Sequence, residues 1–394
     1  METVGRRTFL AGLAGATALS HRLAPAASAV SLPERQAARP TSPPLFMYVG
    51  SFTGKDGGHG EGLSVYHRSR ESDPWTLVEL LKNIADPSFL IIDRAGRHLY
   101  SAHGDGTQAA SWQIDQTTGQ LTLLNRQPTG GTNGVHLAID ATGRFLALAN
   151  YATGSLALLP INQDGSLAPV SDLASMTGTR GPHRTQQETS HPHDCPFDRS
   201  GRFIVVPDKG LDKVFVYRLD TVRGKLVPGD PPAVAARAGA APRHVDFHPR
   251  QPYAYVINEI DSTITTYQFD PDKAVLKPLQ IVPTVPSSFT GNNSGAEIVV
   301  ASSGRFVYGS NRGHDSIGIF AIDQDGGTLT PIGWESTRGR TPRFFALDPT
   351  GARLYAANQG SDTVVIFRVD ETAGTLTPTG EVLQVKTPTT IVFG

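Results

Sequence analysis

The sequence is poor in several features, and each shortage excludes a class of protein. It contains one cysteine, Cys195, so no intrachain disulfide can form. Lys plus Arg number 35 and Asp plus Glu number 36, which leaves no basic excess to attract nucleic acid or an anionic membrane. No stretch has a sustained 3.6-residue hydrophobic period, so helices should be few. At 394 residues, with 41 glycines and 29 prolines, we expect two domains or one large repeat architecture made mainly of strands.

The N-terminus has the features of an export signal. Arg6 and Arg7 precede a small apolar stretch over residues 11–19, and residues 27–29 match an A-x-A cleavage pattern. The apolar run is too short to span a bilayer. An arginine pair in this position resembles a twin-arginine signal, which exports folded proteins. We therefore predict a signal peptide over residues 1–29, a Pro/Ser-rich linker over residues 30–44, and a periplasmic or secreted protein.

From residue 45 onward the chain repeats one unit, marked by a Gly-Arg-type turn followed by a β-rich strand. Five copies and one degenerate copy begin at Gly96, Gly143, Gly201, Gln251, Gly304 and Gly351. Their spacings of 47 to 58 residues suit a four-stranded propeller blade. Each unit also contains strictly alternating apolar residues, the pattern of a half-buried strand.

Two incomplete units remain at the ends of this region. Residues 46–51 look like a second strand without a first, and residues 387–393 look like a first strand without a second. Joined, they complete a seventh blade and hide the strand edges of an open array. The sequence therefore predicts an all-β fold, a seven-bladed β-propeller over residues 45–394 closed by pairing of the N- and C-terminal strands. A pair of β-sandwiches would not explain the two complementary halves.

Two positions of the unit vary from blade to blade and carry charged side chains in the later blades. Eight residues after each turn residue stand Gly104, Tyr151, Lys209, Glu259, Arg312 and Gln359. Eight residues before it stand Ser88, Val135, His193, Arg243, Ala296 and Arg343. The position seven residues before the turn adds His136, Asp194, His244 and Glu297. Some of these side chains should point away from the channel mouth, because side chains alternate along a strand. In a propeller these positions meet at one mouth of the channel, so their variation indicates a functional rim on a symmetric scaffold.

A third position is uniform and favours a structural interpretation. The second strand of the unit ends in asparagine in four blades, at Asn150, Asn258, Asn311 and Asn358. Asparagine tolerates the left-handed region and bonds its own backbone, so we expect a role in the turn.

Five segments around these positions resemble the propeller lactonase family, which includes bacterial 6-phosphogluconolactonase and fungal carboxymuconate cyclase. They span residues 190–193, 206–212, 241–249, 255–259 and 308–317, and the resemblance covers almost everything after residue 45. It implies a seven-bladed propeller that hydrolyses a sugar-acid lactone, phosphorylated or not. In the cyclase branch it implies a catalytic cluster that maps onto His193, Arg243, Glu259 and Arg312.

The chemistry that these residue types allow fits hydrolysis of a lactone. Glu259 or His193 would act as general base for a water molecule, a choice the sequence leaves open. Arg243 and Arg312 would stabilise the oxyanion or clamp a substrate carboxylate. Five further rim residues are predicted to contact the substrate: Arg343, His136, Glu297, Lys209 and Gln359. We predict no cofactor and no metal ligands, although a divalent cation stays open, and we expect a monomer whose partner is a small molecule.

Other interpretations of the same residues remain. A lactonising cycloisomerase would use them to move a carbon-bound proton, and a non-catalytic propeller would bind a ligand at the same mouth. Arg243 and Glu259 can also simply pair across neighbouring strands. The segment over residues 191–195 contains ligand types for zinc or copper, but its prolines disfavour the regular strand that a shared face needs. We expect Cys195 to pack in the core, and His191 and Asp194 to support His193.

Overall fold

The structure, a computed structural model, describes residues 45–70 and 73–394. The predicted signal peptide over residues 1–29 and the linker over residues 30–44 lie outside the described residues. The described part contains β-strands and two short 3₁₀ turns, Lys55–Gly57 and Gln359–Ser361. No helix in it is long and apolar enough to cross a membrane.

The strands are short and follow one another along the whole described chain. In chain order they are β1 (Leu45–Ser51), β2 (Leu63–Arg68), β3 (Thr76–Leu81), β4 (Pro87–Ile92), β5 (His98–His103), β6 (Gln108–Ile114), β7 (Leu121–Pro128), β8 (Gly134–Ile139), β9 (Phe145–Asn150), β10 (Ser155–Pro160), β11 (Asp172–Ser175), β12 (Phe203–Asp208), β13 (Lys213–Asp220), β14 (Lys225–Ala235), β15 (Pro242–Phe247), β16 (Tyr253–Asn258), β17 (Thr263–Asp270), β18 (Val275–Pro283), β19 (Ser294–Val300), β20 (Phe306–Arg312), β21 (Ser316–Ile322), β22 (Leu329–Ser336), β23 (Pro342–Leu347), β24 (Arg353–Asn358), β25 (Thr363–Val369), β26 (Leu376–Gln384) and β27 (Pro388–Phe393).

These strands form seven antiparallel sheets, the blades of a propeller. Blades 1 to 6 are built from consecutive strands: β4–β7, β8–β11, β12–β14, β15–β18, β19–β22 and β23–β26. Blade 7 joins the two ends of the described chain, because β27 pairs with β1, and β2 and β3 follow. The predicted seven-bladed propeller, closed by its terminal strands, is therefore confirmed.

The first strand of each blade lies on the inside, where it contacts the first strand of the next. Such contacts join β27 to β4, β4 to β8, β15 to β19, β19 to β23 and β23 to β27. Hydrogen bonds of the segment before β12 complete this ring. The Cys195 N–H donates to His136 Nδ1 at 3.3 Å, and the Val245 N–H donates to Asp194 Oδ2 at 2.8 Å. The starts of the inner strands therefore surround one channel.

Blade 3 has three strands, and the inner segment beside it is irregular. It touches β12 through two isolated bridges, Pro192 to Asp208 and Phe197 to Ile204. Proline has no N–H to donate to a ladder, so Pro192 and Pro196 prevent a continuous strand. The predicted effect of these prolines is therefore confirmed, and His193 lies on an extended segment between them.

The Gly-Arg turns repeat because one glycine conformation and one carboxylate recur. The turn glycines have positive φ, for example 68° at Gly201 and 71° at Gly143, which other residues rarely adopt. In the turns at Gly96, Gly143, Gly201 and Gly351, the carboxylate of an aspartate three residues earlier accepts hydrogen bonds from the backbone after the turn. Asp140 Oδ1 thus accepts from the N–H groups of Arg144 and Phe145 at 2.7 and 2.8 Å.

The core is divided into seven apolar clusters, each between two neighbouring blades. Buried tyrosines of the second strands add hydrogen bonds between blades. The Tyr255 hydroxyl in blade 4 donates to the Gly327 carbonyl in blade 5 at 2.9 Å, and Tyr48, Tyr100 and Tyr308 do the same for their neighbours. Each blade thus needs its neighbour to bury its apolar faces, which makes the ring one unit.

The asparagines at the ends of the second strands are structural, but the reason differs from the predicted one. Asn311 is buried, and its Nδ2 donates to the Thr284 carbonyl at 2.8 Å and to Ser316 Oγ at 3.3 Å. Asn358 has φ −87°, outside the left-handed region. These amides therefore tie strands and loops together and do not form the turn itself.

Candidate active site

The inner strands carry β-bulges at the positions where the predicted site residues stand. The register of β15 shifts between Pro242 and His244, and that of β23 shifts between Pro342 and Phe344. Arg243 and Arg343 are thus the extra residues, and a bulge re-aims a side chain. Strict alternation would turn His244 away from Arg243, but with the bulge both side chains line the same cavity.

A cavity of about 210 Å³ lies at this mouth of the channel. It brings together five of the nine predicted residues, His193, Lys209, Glu259, Arg312 and Arg343. A narrower adjoining cavity of about 20 Å³ shares His193 and Arg343 and adds Arg243. The two position patterns found in the sequence therefore converge in space, although they come from different blades.

The other three predicted contact residues, His136, Glu297 and Gln359, are not among the described residues that line either cavity. His136 Nε2 lies 2.9 Å from Asp194 Oδ1, and Glu297 faces His244 in the channel wall. Their contact with substrate stays a prediction.

Several lining residues come from positions that the sequence analysis did not select. They include Phe52, Lys55, Asp56 and Asn133. The Arg343 guanidinium lies over the ring of Phe52, 4.9 Å from its centroid, a cation–π contact. A signal for Phe52 was present, since Ser51 ends β1 as Asn150 ends β9, so Phe52 occupies the position that Lys209 and Glu259 hold in their blades.

The Glu259 carboxylate is the anion around which the cations of the site are arranged. Lys209 Nζ donates to Glu259 Oε1 at 2.8 Å, Arg312 Nη2 lies 3.3 Å from the same oxygen, and Arg243 Nε lies 3.2 Å from Oε2. Glu259, Lys209 and Arg243 are buried. The suggested pairing of Arg243 with Glu259 is therefore real, but it belongs to a four-residue ion cluster.

Burial and charge oppose each other at this glutamate. Burial raises the pKa of Glu259, but the cations of Arg312, Lys209 and Arg243 outweigh it and hold the pKa well below its usual range. Burial, with Arg312 and Arg343 nearby, lowers the pKa of Arg243 to about 9, so its guanidinium stays charged at neutral pH. An ionised carboxylate held by three cations is a weak base. The geometry therefore favours His193 over Glu259 as the proton acceptor.

His193 presents a neutral imidazole to the cavity. Its Nδ1 lies 3.2 Å from His244 Nε2, while no hydrogen bond to a described residue engages its Nε2. Burial, then the charge of Arg243, lowers the pKa of His193 well below its usual value. The ring is thus uncharged at neutral pH, and one of the two nitrogens of a neutral imidazole can accept a proton.

The neighbours of His193 in sequence serve other purposes. The Asp194 carboxylate accepts from the backbone and from His136, and His191 Nδ1 lies 3.0 Å from the Tyr151 carbonyl. The expectation that these two side chains support His193 is therefore not met by a hydrogen bond from either of them. Cys195 packs in the cluster between blades 2 and 3, which confirms its predicted place, and burial raises the pKa of its thiol. The described residues contain no group of three or more His, Cys, Asp or Glu side chains placed to hold a metal ion.

The charges lining the two cavities favour an anionic guest or an anionic transition state. Five cationic side chains, Lys55, Lys209, Arg243, Arg312 and Arg343, line them together with two carboxylates, Asp56 and Glu259. Partly buried guanidiniums bind phosphate and carboxylate oxygens strongly, because their hydrogen bonds are charge-assisted and paired.

A model of the family described as "Lactonase, 7-bladed beta-propeller" matches residues 46–393. The chain belongs to this family. Two curated members are named 6-phosphogluconolactonase. The Bacillus subtilis protein is 36% identical over 307 residues, covering 77% of this chain and 85% of its own length. The Formosa agariphila protein is 32% identical over 315 residues, covering 77% of this chain and 87% of its own length.

A solved structure shows the same architecture at somewhat lower identity. The periplasmic gluconolactonase of Pseudomonas aeruginosa superposes with a TM-score of 0.81 at 27% identity, covering 89% of this chain and 99% of its own. The propeller of the present chain therefore extends over nearly the whole of both kinds of relative.

Proposed function

We propose that this protein hydrolyses a sugar-acid lactone to the open-chain acid in the cavity at the channel mouth. One observation carries the proposal: a neutral imidazole with a free nitrogen, His193, faces two adjoining cavities that are lined by the guanidiniums of Arg243, Arg312 and Arg343. This pairs a proton acceptor with fixed positive charge, which is what ester hydrolysis needs. The names of the relatives, 6-phosphogluconolactonase and gluconolactonase, support the same substrate class.

In this reaction His193 Nε2 takes a proton from water as the water oxygen attacks the lactone carbonyl. Negative charge then develops on the carbonyl oxygen, and the buried guanidiniums stabilise it because little water competes with them. Glu259 holds Arg243, Arg312 and Lys209 in place and limits their mutual repulsion. Opening of the ring breaks the bond between the carbonyl carbon and the ring oxygen, which regains the proton and leaves as the hydroxyl of the product.

The test is proton release by the purified protein on glucono-δ-lactone and on 6-phosphoglucono-δ-lactone, with spontaneous hydrolysis subtracted. We expect turnover of at least one lactone and its severe loss in Arg243→Ala. Arg305→Ala is the matched control, because Arg305 is exposed and donates to the Thr372 carbonyl in a turn of the next blade, outside the lining of both cavities. No rate above the spontaneous one on either lactone, or on muconolactone, would reject lactone chemistry and favour a binding protein.

We also propose that the protein acts outside the cytoplasm as a monomer. The Arg6-Arg7 pair and the A-x-A pattern at residues 27–29 support export, as does the periplasmic name of the P. aeruginosa relative. Substitution of both arginines by lysine should retain the protein in the cytoplasm, as measured by cell fractionation. Unchanged export would rule out the twin-arginine route.

A further inference from the structure

Behind the cavity, His193 is followed by a second histidine, His244, and a buried acid, Glu297. His193 Nδ1 lies 3.2 Å from His244 Nε2, and His244 Nδ1 lies 3.0 and 3.1 Å from the two oxygens of Glu297. All three side chains are buried. The Glu297 carboxyl is also fixed by the Ile298 N–H, which donates to Oε1 at 3.0 Å. Three proton-exchanging groups are thus hydrogen-bonded in series, with one end at the cavity.

The protons in this series can be placed by donor and acceptor logic. An ionised Glu297 only accepts, so His244 must carry its proton on Nδ1. The neutral His244 then accepts at Nε2, and His193 must donate from Nδ1. His193 Nε2 is consequently left as an acceptor facing the cavity. If Glu297 instead holds a proton, every hydrogen bond reverses and His193 Nε2 becomes a donor.

We propose that His193, His244 and Glu297 form a proton relay, in which Glu297 stores as a carboxylic acid the proton that the attacking water loses. The relay rests on the proposed lactone hydrolysis for its role. His244 and Glu297 act through His193 and are positioning residues, because neither is inferred to touch the substrate.

The relay is balanced in protons and charge at each stage. As the water oxygen bonds to the carbonyl carbon, its proton moves to His193 Nε2, the Nδ1 proton of His193 moves to His244 Nε2, and the Nδ1 proton of His244 moves to Glu297. The charge lost by Glu297 reappears on the carbonyl oxygen. When the ring bond breaks, the same transfers run in reverse and protonate the departing ring oxygen, so Glu297 is again a carboxylate.

The surroundings explain why the proton would rest on Glu297 and not on an imidazole. Burial and the charge of Arg243 lower the pKa values of both His193 and His244, because an imidazolium there would face other cations. Burial raises the pKa of Glu297, because its charged form is poorly solvated. The charged and titratable groups facing the relay come from several elements: His136 on β8, Tyr151 after β9, Asp194 before β12, Lys209 after β12, Arg243 and Asp246 on β15, and Arg343 on β23.

Asp246 provides a matched control. It is half-buried, burial of its carboxylate raises its pKa to about 7, and the carboxylate accepts from the Val300 and Phe247 N–H groups at 2.7 Å each. It is not hydrogen-bonded to His193 or His244 in the described structure. Asp246→Asn therefore removes a nearby acid whose pKa is also raised without breaking the relay.

The experiment is the pH dependence of kcat/KM for Glu297→Gln, Asp246→Asn and wild type. In wild type, kcat/KM should rise with pH as Glu297 of the free enzyme loses its proton, because only the ionised carboxylate can take up the proton of the attacking water. Glu297→Gln should lower the plateau by about 10- to 100-fold and move the rise to lower pH, because only imidazoles of low pKa then titrate. Asp246→Asn should move the rise much less than Glu297→Gln does, because Asp246 is near the relay but not hydrogen-bonded to it. A lower plateau with an unmoved rise in Glu297→Gln would overturn the relay and leave Glu297 a purely structural residue.

A second measurement separates this proposal from the proposed function. Infrared difference spectra of the substrate-free protein follow the carbonyl stretch of protonated carboxyls during a pH titration. We expect one such band to be absent in Glu297→Gln and retained in Asp246→Asn, whether or not any tested lactone is hydrolysed. If Glu297→Gln does not fold, His244→Gln must shift the titration of the remaining Glu297 band. Identical band titrations in wild type and in the folded relay variant would overturn the relay even if hydrolysis is found.

Discussion

Replacing Glu259 by glutamine tests whether this carboxylate holds the cations of the site together. The substitution keeps the shape of the side chain but removes its charge, so Lys209, Arg243 and Arg312 lose the anion that they face at 2.8 to 3.3 Å. Removing one partner of a buried ion pair typically costs about 3–5 kcal/mol, because the other charge stays buried without compensation. We expect Glu259→Gln to lower the free energy of unfolding by about that amount, a drop of roughly 4–7 °C in Tm for a propeller of this size.

The assay is urea unfolding followed by tryptophan fluorescence, with Glu335→Gln as control. Glu335 pairs with Arg338 at 2.9 Å near the surface, and its loss should cost about 1 kcal/mol or less. Because the pKa of Glu259 is lowered on folding, its contribution is present above the unfolded value near about pH 4.3 and is lost as pH falls towards the folded value. The difference between wild type and Glu259→Gln should therefore be constant near neutral pH and shrink in acid. A stability within about 1 kcal/mol of wild type at pH 7 would refute this reasoning.

Three further predictions follow from single contacts. Arg243→Lys keeps the charge but loses the planar guanidinium, whose Nη1 donates to the Ala296 carbonyl at 2.6 Å. The value of kcat/KM for the lactone should therefore fall by about 10²–10³-fold. A rate near that of wild type would show that the positive charge alone is sufficient. Tyr255→Phe removes the hydrogen bond to the Gly327 carbonyl and should lower the free energy of unfolding by about 0.5–1.5 kcal/mol, measured in urea; no change would mean that this inter-blade bond is not stabilising. Gly351→Ala should lower the free energy of unfolding by about 1–2 kcal/mol, measured in urea, because φ is 75° at this position and alanine rarely adopts it. The added Cβ itself would be unstrained, since it would lie 3.5 Å from Ser302 Oγ. Gly333→Ala is the control, because no atom would lie within 4 Å of its Cβ, and equal losses of stability in the two variants would contradict the conformational explanation.

The fold could be predicted from the sequence because its unit is repeated. A turn glycine with positive φ recurs in five of the six units, and an aspartate three residues before it recurs in four, so the same local chemistry marks most blades. The closing blade was predictable because its halves are complementary in strand order, as the pairing of β27 with β1 shows.

The site residues could be predicted only where they occupy equivalent positions in the repeated unit. His193, Arg243 and Glu259 occupy fixed offsets from their turns, and ring symmetry brings these offsets to one mouth of the channel. Phe52 and Lys55 were missed because blade 7 has no Gly-Arg turn from which to count. The pairing of His244 with Glu297, and the fact that His244 and Arg243 share a cavity, depend on a β-bulge whose position the alternating pattern does not encode.

The most direct test of the account is the kcat of His193→Gln for whichever lactone the wild type hydrolyses. His103→Gln is the matched control, because His103 is also buried with its pKa lowered by burial, and its Nδ1 lies 2.8 Å from the Ala85 carbonyl, outside the cavity lining. Loss of a general base should lower kcat by about 10²–10⁴ in His193→Gln, while His103→Gln keeps a kcat close to that of wild type. A folded His193→Gln protein that hydrolyses the lactone within a few-fold of the wild-type rate would contradict the central claim that His193 accepts the proton of the attacking water.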